Sequence, residues 1–192
     1  MRTGRVSGPS ADKELAPRAR QIVDAARKLL ERGGAEGLSM RRLADKLGVR
    51  APSLYEHIPN KQALEAALIS DGLREWAELA EKALRTKADP LSAIGSAYRR
   101  FATRHPHLYR LMTERPLPRA HLAAGVEERA AQPVVEAVGG DPDLARALWS
   151  FAHGMVINEL NDRFPPGADI DAAWSRGLAA FRREAEERHA PD

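Results

Sequence analysis

Residues 38–61 have the sequence LSMRRLADKLGVRAPSLYEHIPNK, which predicts two short helices joined by a tight turn. In the first half, Leu43 and Leu47 belong to an apolar stripe at helical spacing. Ser39 can cap the free N–H groups at the start of this helix, and Gly48 suits the left-handed position at its end. This pattern is typical of a helix-turn-helix, whose second helix lies in the major groove of DNA.

The second helix of the motif is predicted to begin near Ala51. Pro52 is tolerated in its first turn, because that N–H would have no helical partner anyway. Leu54 and Ile58 are expected to hold this helix against the first one. Ala44 leaves room for the two helices to cross steeply. The other faces of the second helix therefore remain available for DNA.

The composition of the 192-residue chain is that of a globular helical protein. It is 43% hydrophobic, 30% charged and only 5% aromatic, and its many alanines and leucines favour helix over sheet. It has no cysteine, which excludes disulfides, thiolate metal sites and a cysteine nucleophile. It has no apolar run of membrane-spanning length and no secretory signal, so we expect a cytoplasmic protein that does not contact membranes.

The positive charge is concentrated at one end of the chain. Residues 1–61 carry 13 Lys and Arg against 7 Asp and Glu, whereas residues 62–192 carry 17 against 20. Such an asymmetry favours nucleic-acid binding by the first part. A solvated basic tail is the alternative interpretation.

Nine helices and no sheet are predicted along the chain, so the fold class is all-α. The helices are expected at about residues 17–32, 38–47, 51–58, 61–87, 91–104, 107–114, 119–138, 141–161 and 169–188. Gly33 and Gly34 are expected to end the first helix, and Pro133 to kink or divide the seventh. The eighth helix is apolar nearly all round, which predicts burial on more than one side.

The predicted elements divide the chain into three parts. Residues 1–16 lack periodicity and are predicted to be a disordered arm. Residues 17–62 form a three-helix head that contains the helix-turn-helix, and residues 63–192 form a helical bundle. The last two helices could pair with those of a second copy to form a four-helix bundle and a homodimer. Alternatively, they only cover their own core.

A family resemblance is carried by two segments. GAEGLSMRRLADKLGVRAPSLYEHIPNKQAL, residues 34–64, resembles the DNA-binding signature of TetR-family transcriptional regulators, and the similarity extends over about residues 17–70. WSFAHGMVINELNDRFP, residues 149–165, is similar to a C-terminal domain of many TetR-like regulators. The recurring residues are Trp149, His153, Gly154 and Phe164.

The resemblance implies what such a protein does. It implies a homodimer that binds a near-palindromic DNA operator and usually represses transcription. It also implies a small-molecule inducer that enters the C-terminal part, residues 63–192, and changes the spacing of the heads. No cofactor, metal or catalytic residue is expected.

The resemblance also implies which residues contact DNA. They are Ser39, Arg41, Arg42, Arg50, Ala51, Ser53, Tyr55, His57 and Lys61. Ser39, Lys61 and one of the two adjacent arginines would contact phosphates. Arg50, Ala51 and Ser53 would face base edges. Tyr55 and His57 would donate to the DNA backbone. The alternatives are that Tyr55 packs against the first helix and that His57 is an ordinary surface residue.

Two positions of the second helix depart from the family pattern. Arg50 stands where many members have Ser or Thr; it is a poor cap but a good ligand for phosphate or guanine. Glu56 aligns with Arg or Lys in relatives, and a carboxylate there would repel phosphate. We therefore expect Glu56 to point away from the backbone or to accept a hydrogen bond from a cytosine amine.

Residues that could contact the inducer are the aromatic, sulfur-containing and polar side chains of the bundle, most of which are expected to be ordinary core. They are Trp76, Tyr98, Phe101, Tyr109, Met112, Trp149, His153, Met155 and Asn158. A metal site at His105 and His107, completed by His121 or His153, is a weaker alternative because no acidic cluster accompanies them. A helical enzyme and a non-specific architectural DNA-binding protein are the alternative functions.

Overall fold

The computed structural model describes residues 15–189, except the side chain of His189. Over this range the chain forms nine α-helices and no strand, so the all-helical prediction is confirmed. The helices are α1 (Pro17–Gly37), α2 (Met40–Leu47), α3 (Ala51–Tyr55), α4 (Lys61–Leu84), α5 (Pro90–Arg104), α6 (Pro106–Thr113), α7 (Val126–Ala137), α8 (Pro142–Leu160) and α9 (Ile170–His189). The arm predicted at residues 1–16 lies almost entirely outside the described residues.

Helix α1 buries one apolar face against three other helices. Pro17 occupies its first turn, and Ile22, Val23, Ala26 and Leu30 are fully buried. These residues lie on one face of the helix, which packs against α2, α4 and α6.

Helical geometry is interrupted where the sequence predicts it, at Gly34. The helix continues through Gly33, breaks at Gly34, where φ is 62° and ψ is −166°, and resumes for one more turn to Gly37. His107 of α6 lies against the break, since a Cβ on Gly34 would be 3.2 Å from its Nδ1. The positive φ of Gly34, which glycine adopts without steric cost, therefore ends the regular helix, and the last turn to Gly37 follows in a new direction.

The helix-turn-helix has the predicted caps. The Ser39 Oγ accepts a 3.2 Å hydrogen bond from the Arg42 N–H, and Gly48 is left-handed with φ of 66°. Leu54 and Ile58 are buried, as expected, and Ala44 is also buried. α3 is only five residues long, because the chain turns after Tyr55.

Helix α4 links the head to the rest of the chain. Asn60 caps it, with its Oδ1 accepting a 2.8 Å bond from the Ala63 N–H. Gly72 lets α6 approach closely, because a Cβ there would lie 2.6 Å from the Met112 sulfur. The Trp76 indole donates to the Ala130 carbonyl at 3.0 Å and so ties α4 to α7.

The predicted seventh helix is wrong in its first part. Arg119–His121 form only a 3₁₀ turn, and α7 begins at Val126 after Gly125, whose φ is 71°. The loop between the 3₁₀ turn and α7 is held against α4, because the buried Ser70 hydroxyl accepts a 3.0 Å hydrogen bond from the Ala123 N–H. Pro133 lies inside α7 without dividing it.

Helices α8 and α9 close the bundle. Asp141 caps α8 by accepting bonds from two backbone N–H groups, at 2.8 and 3.0 Å. Helix α8 packs against α5, α7 and α9, so it is buried on more than one side as predicted, although Trp149 is 48% exposed in the single chain. Gly177 of α9 lies directly against the Phe151 ring, so these two helices approach closely at that level.

Among residues 15–189, no helix is both long enough and apolar enough to cross a membrane.

Candidate DNA interface and aromatic core

The implied DNA contacts lie mostly on the outer surface of α2, α3 and the start of α4. Seven of them are exposed and two, Ser39 and Ala51, are half-buried. Within residues 15–189, no carboxylate pairs with Arg41, Arg42 or Arg50. Within the described part of the chain, three guanidinium groups on adjacent elements thus have no carboxylate partner, which suits an external anion such as a DNA phosphate.

The first turn of α3 has small side chains next to the arginine at its N-cap. Arg50 is the N-cap residue, but its side chain makes no capping bond, so it projects outward. Ala51 is half-buried and Ser53 is exposed. Small side chains at the start of a recognition helix allow its backbone to approach base edges closely, and an adjacent arginine can reach guanine O6 and N7.

Tyr55 and His57 are both exposed. Tyr55 has 47% of its surface accessible to solvent, which does not favour the alternative that it packs against α1. A phenol and an imidazole at the end of a recognition helix can both donate to phosphate oxygens. Glu56 is exposed as well.

Lys61 has an internal partner that the sequence analysis missed. Its Nζ lies 3.6 Å from the Glu65 Oε1, one turn along α4, and the same oxygen lies 3.9 Å from Arg115 in the segment after α6. This oxygen is buried and accepts no hydrogen bond. The Lys–x3–Glu spacing was the available signal, since residues four apart on a helix are neighbours.

The aromatic residues proposed for the ligand core form a contiguous group. Trp76 packs edge-on against Tyr98, with ring centroids 5.2 Å apart, and lies 6.2 Å from Phe101. Tyr98 in turn packs edge-on against Tyr109 at 5.8 Å. Edge-to-face packing of this kind stabilises a core beyond the area that it buries.

A hydrogen-bonded chain runs through this aromatic group. The Tyr98 and Tyr109 hydroxyls are 2.9 Å apart, and the Tyr109 hydroxyl is 2.7 Å from the His153 Nδ1. Burial raises the pKa of Tyr98 to about 12 and also raises the pKa of Tyr109, whereas burial lowers the pKa of His153. All three groups are therefore favoured in their neutral forms, in which Tyr109 can donate to Nδ1 and accept from Tyr98.

The remaining residues proposed for this core are less enclosed. Met112 and Met155 are half-buried, and Met112 lies against Gly72. Trp149 is largely exposed and stacks on His153, with ring centroids 5.6 Å apart. Asn158 is exposed, so it lies at the surface of α8 and not among the enclosed aromatic rings.

Two of the histidines weighed as metal ligands have other partners. His105 faces the carboxylates of Glu31 and Glu75, at 3.2 and 3.1 Å, and His153 bonds to Tyr109. His121 is exposed in the 3₁₀ turn. In the described part of the chain, no three histidine or acidic side chains are grouped so that they could hold a metal ion.

A surface groove lies outside the predicted core. It has a volume of about 440 Å³ and runs between α5 and α9, over Trp174 and Leu178. Its two arginines already have acceptors: Arg99 bonds to Glu159 and Asp171, and Arg182 to the Asp89 carboxylate. Both arginines of the groove are therefore already paired with carboxylates.

Comparison with known proteins identifies the family. Residues 22–68 match the model of bacterial regulatory proteins of the tetR family, and residues 91–181 match the tetracyclin repressor-like C-terminal domain. An uncharacterized HTH-type transcriptional regulator of Mycobacterium tuberculosis is 30% identical over 171 residues, which cover 82% of this chain and 78% of that protein. The chain belongs to the TetR family of transcriptional regulators.

Other TetR-family proteins are similar over most of the chain. An HTH-type transcriptional regulator of Saccharopolyspora erythraea is 38% identical over 169 residues, covering 86% of this chain and 70% of that one. The crystal structure of a TetR variant from Acinetobacter baumannii in complex with minocycline is 26% identical. The two structures superpose with a TM-score of 0.61, and the aligned region covers 95% of this chain and 100% of that chain. Members of the TetR family bind DNA operators as dimers and respond to small molecules, so the protein is a DNA-binding regulator and not an enzyme.

Proposed function

We propose that this TetR-family protein binds a near-palindromic operator as a homodimer and represses transcription until a small molecule enters its core. In this proposal residues 17–62 are the DNA-binding head and residues 63–192 are the ligand-binding and dimerisation part. Arg50, Ala51 and Ser53 face base edges. Ser39, Arg41, Arg42, Tyr55, His57 and Lys61 contact the DNA backbone.

The main support for the DNA contacts is the set of unpaired arginines on α2 and at the start of α3. Arg41, Arg42 and Arg50 are exposed. Exposed arginines of the bundle, such as Arg100 and Arg183, also have no carboxylate partner within residues 15–189, so what sets Arg41, Arg42 and Arg50 apart is their position on α2 and at the start of α3. Cations that neutralise phosphates release the counterions bound to DNA, which supplies much of the affinity of DNA-binding proteins.

The support for a dimer through the last two helices is an uncovered face of small and apolar residues. On α8 this face contains Ala147, Ser150, Gly154 and Ile157, which recur at helical spacing and are exposed or half-buried. A Cβ on Gly154 would contact nothing. Small residues allow two helices to approach closely, and a symmetric pairing would bury the same face on both protomers.

The support for a ligand in the core is the polar chain of Tyr98, Tyr109 and His153. A chain of hydroxyls and an imidazole inside an apolar group gives few but directional hydrogen bonds, the kind of lining that fixes a small molecule in a pocket. His153 is partly accessible and lies beside the exposed Trp149. These side chains suit a small molecule that packs against aromatic rings and has one hydrogen-bond acceptor or one hydroxyl.

The deciding experiment is fluorescence anisotropy with DNA from immediately upstream of the protein's own gene and with a scrambled duplex, at near-physiological salt. We expect a preference of about a thousandfold or more for the first DNA, with two protomers per site. Equal binding to both duplexes would contradict the proposal for that operator.

The Arg50→Ala variant tests the base contact. We expect it to weaken operator binding by about tenfold to a hundredfold and to relax the base preference, because a bidentate arginine–guanine contact contributes about 1–3 kcal/mol. Arg85→Ala is the matched control, since Arg85 is also exposed but lies at the opposite end of α4, about 36 Å from Lys61. Unchanged affinity and preference in Arg50→Ala would remove this residue from the interface.

A further inference from the structure

The start of α4 contains a carboxylate that two cations share. The Glu65 Oε1 lies 3.6 Å from the Lys61 Nζ, one turn earlier in α4, and 3.9 Å from the guanidinium of Arg115, which belongs to the segment between α6 and α7. Both distances are longer than a hydrogen bond. This oxygen is also buried and accepts no hydrogen bond from the residues that the structure describes. Glu65 is therefore paired with each of these two cations by charge alone.

The burial of Glu65 makes a cationic partner necessary. Its side chain is 18% exposed, whereas those of Lys61 and Arg115 are 47% and 61% exposed. A half-buried carboxylate without a counter-charge costs free energy, because water no longer solvates it fully. The two cations, in contrast, reach solvent and can turn to other anions. If Arg115 moves away from Glu65, Lys61 alone of the two is left to balance the carboxylate.

The net charge of this group decides how strongly Lys61 attracts a DNA phosphate. Lys61 is the first residue of α4, and in the proposed function it contacts the DNA backbone. Two cations and one carboxylate leave one net positive charge, which a phosphate can neutralise with release of counterions. Lys61 and Glu65 without Arg115 leave no net charge, so the carboxylate competes with phosphate for the ammonium group. Arg115 thus increases the positive charge available at Lys61 without having to contact DNA itself.

Arg115 follows the helix that contributes to the proposed ligand core. It is the second residue after α6, whose Tyr109 hydroxyl belongs to the hydrogen-bonded chain of the core. Met112, in the last turn of α6, lies against Gly72 of α4. Within residues 15–189, Arg115 pairs with no carboxylate other than Glu65. A displacement of the end of α6 therefore moves Arg115 relative to Glu65, and no second ion pair resists that movement.

We propose that Glu65 and Arg115 are positioning residues for operator binding and that both act through Lys61. While Arg115 balances the charge of Glu65, Lys61 is free to contact a phosphate. When Arg115 moves away with the end of α6, Glu65 holds Lys61 and DNA affinity falls. The proposal rests on the proposed function, since it concerns one of the proposed DNA contacts and the helix beside the proposed ligand core.

The test is a double-mutant cycle measured by anisotropy with the full chain, on DNA from upstream of the protein's own gene and on a scrambled duplex. In the parent protein, Arg115→Ala should weaken binding to both duplexes by about twofold to fivefold, the range for a partly exposed ion pair. It should also reduce the slope of log K against log salt by up to about 1, because the contact of Lys61 with phosphate is lost. In the Glu65→Gln background the same substitution should change neither quantity, since no carboxylate is left to hold Lys61.

Arg119→Ala is the matched control. It removes the same charge from the same segment, but Arg119 pairs with Glu127 of α7 at 3.1 Å, so DNA affinity should stay unchanged in both backgrounds. Equal losses from Arg115→Ala with and without the Glu65 carboxylate would mean that Arg115 contacts DNA itself or supports the fold, and would overturn the proposal. An unchanged affinity of Arg115→Ala in the parent protein would overturn it as well.

The scrambled duplex separates this proposal from the proposed function. A phosphate contact acts on any duplex, so the cycle can be measured even if the parent protein does not prefer the upstream DNA. In that outcome the proposed operator fails, and the cycle still decides the role of Glu65. If the parent protein binds neither duplex, both proposals fail.

Discussion

The helix-turn-helix and the aromatic core of this molecule differ in how their polar groups find partners. On α2 and at the start of α3, exposed arginines have no carboxylate partner within residues 15–189. In the aromatic core, the tyrosine hydroxyls bond to each other and to His153. An external anion can bind the exposed arginines without breaking an internal contact, whereas a molecule that binds in the core must replace hydrogen bonds that the fold already makes.

This comparison predicts that substitutions in the two regions will change different quantities. A change on α2 or α3 should alter the dissociation constant for DNA and leave the free energy of unfolding almost unchanged. A change in the aromatic core should mainly alter the free energy of unfolding. Lys61 lies between these cases, because it is exposed and yet pairs with Glu65.

The largest effect is expected for Trp76→Ala in the core. Trp76 is buried, and its indole bonds to the Ala130 carbonyl. Its removal should therefore lower the free energy of unfolding by about 3–5 kcal/mol, measured by urea denaturation. Trp149→Ala is the matched control, and since this residue is 48% exposed we expect a loss of at most about 1.5 kcal/mol. Equal losses would contradict the assignment of Trp149 to the surface.

A smaller effect is expected for Lys61→Ala, measured as DNA affinity at several salt concentrations. Loss of one phosphate contact should weaken binding to all duplexes similarly and reduce the slope of log K against log salt by about 1. Lys87→Ala removes the same charge from an exposed position beyond the far end of α4 and should leave the slope unchanged. If both variants keep the parent slope, Lys61 does not contact a phosphate and its only contact is the ion pair with Glu65.

The smallest effect is a pH dependence of stability that arises from His153. Burial lowers its pKa in the folded state, so the unfolded chain binds a proton more readily. Stability from the neutral imidazole is present above the unfolded pKa of about 6.5 and is lost as the pH falls through the lower folded value. Thermal unfolding between pH 7 and pH 5 should therefore show a shallower decline for His153→Gln than for the parent protein. An identical decline in both proteins would contradict this account.

Local signals in the sequence predicted most helix ends. Ser39, Asn60 and Asp141 each cap the start of a helix with a side-chain oxygen, and Gly48 ends α2 in the left-handed conformation. The error at the start of the seventh helix has a different origin, because the segment before Gly125 is held as a loop by a hydrogen bond from Ala123 to the distant Ser70.

The helix-turn-helix, the all-helical fold class and the family were all predictable from consecutive residues, because caps, apolar spacing and a DNA-reading surface are local properties of a short segment. The contact between Glu65 and Arg115 was not predictable in this way, nor was the bonded chain from Tyr98 to His153. Their members are separated by as many as 55 residues along the chain. Only packing of α6 against α4 brings the first pair together, and only the contact of α6 with α5 and α8 aligns the second, since hydrogen bonds and ion pairs act over a few ångströms in space.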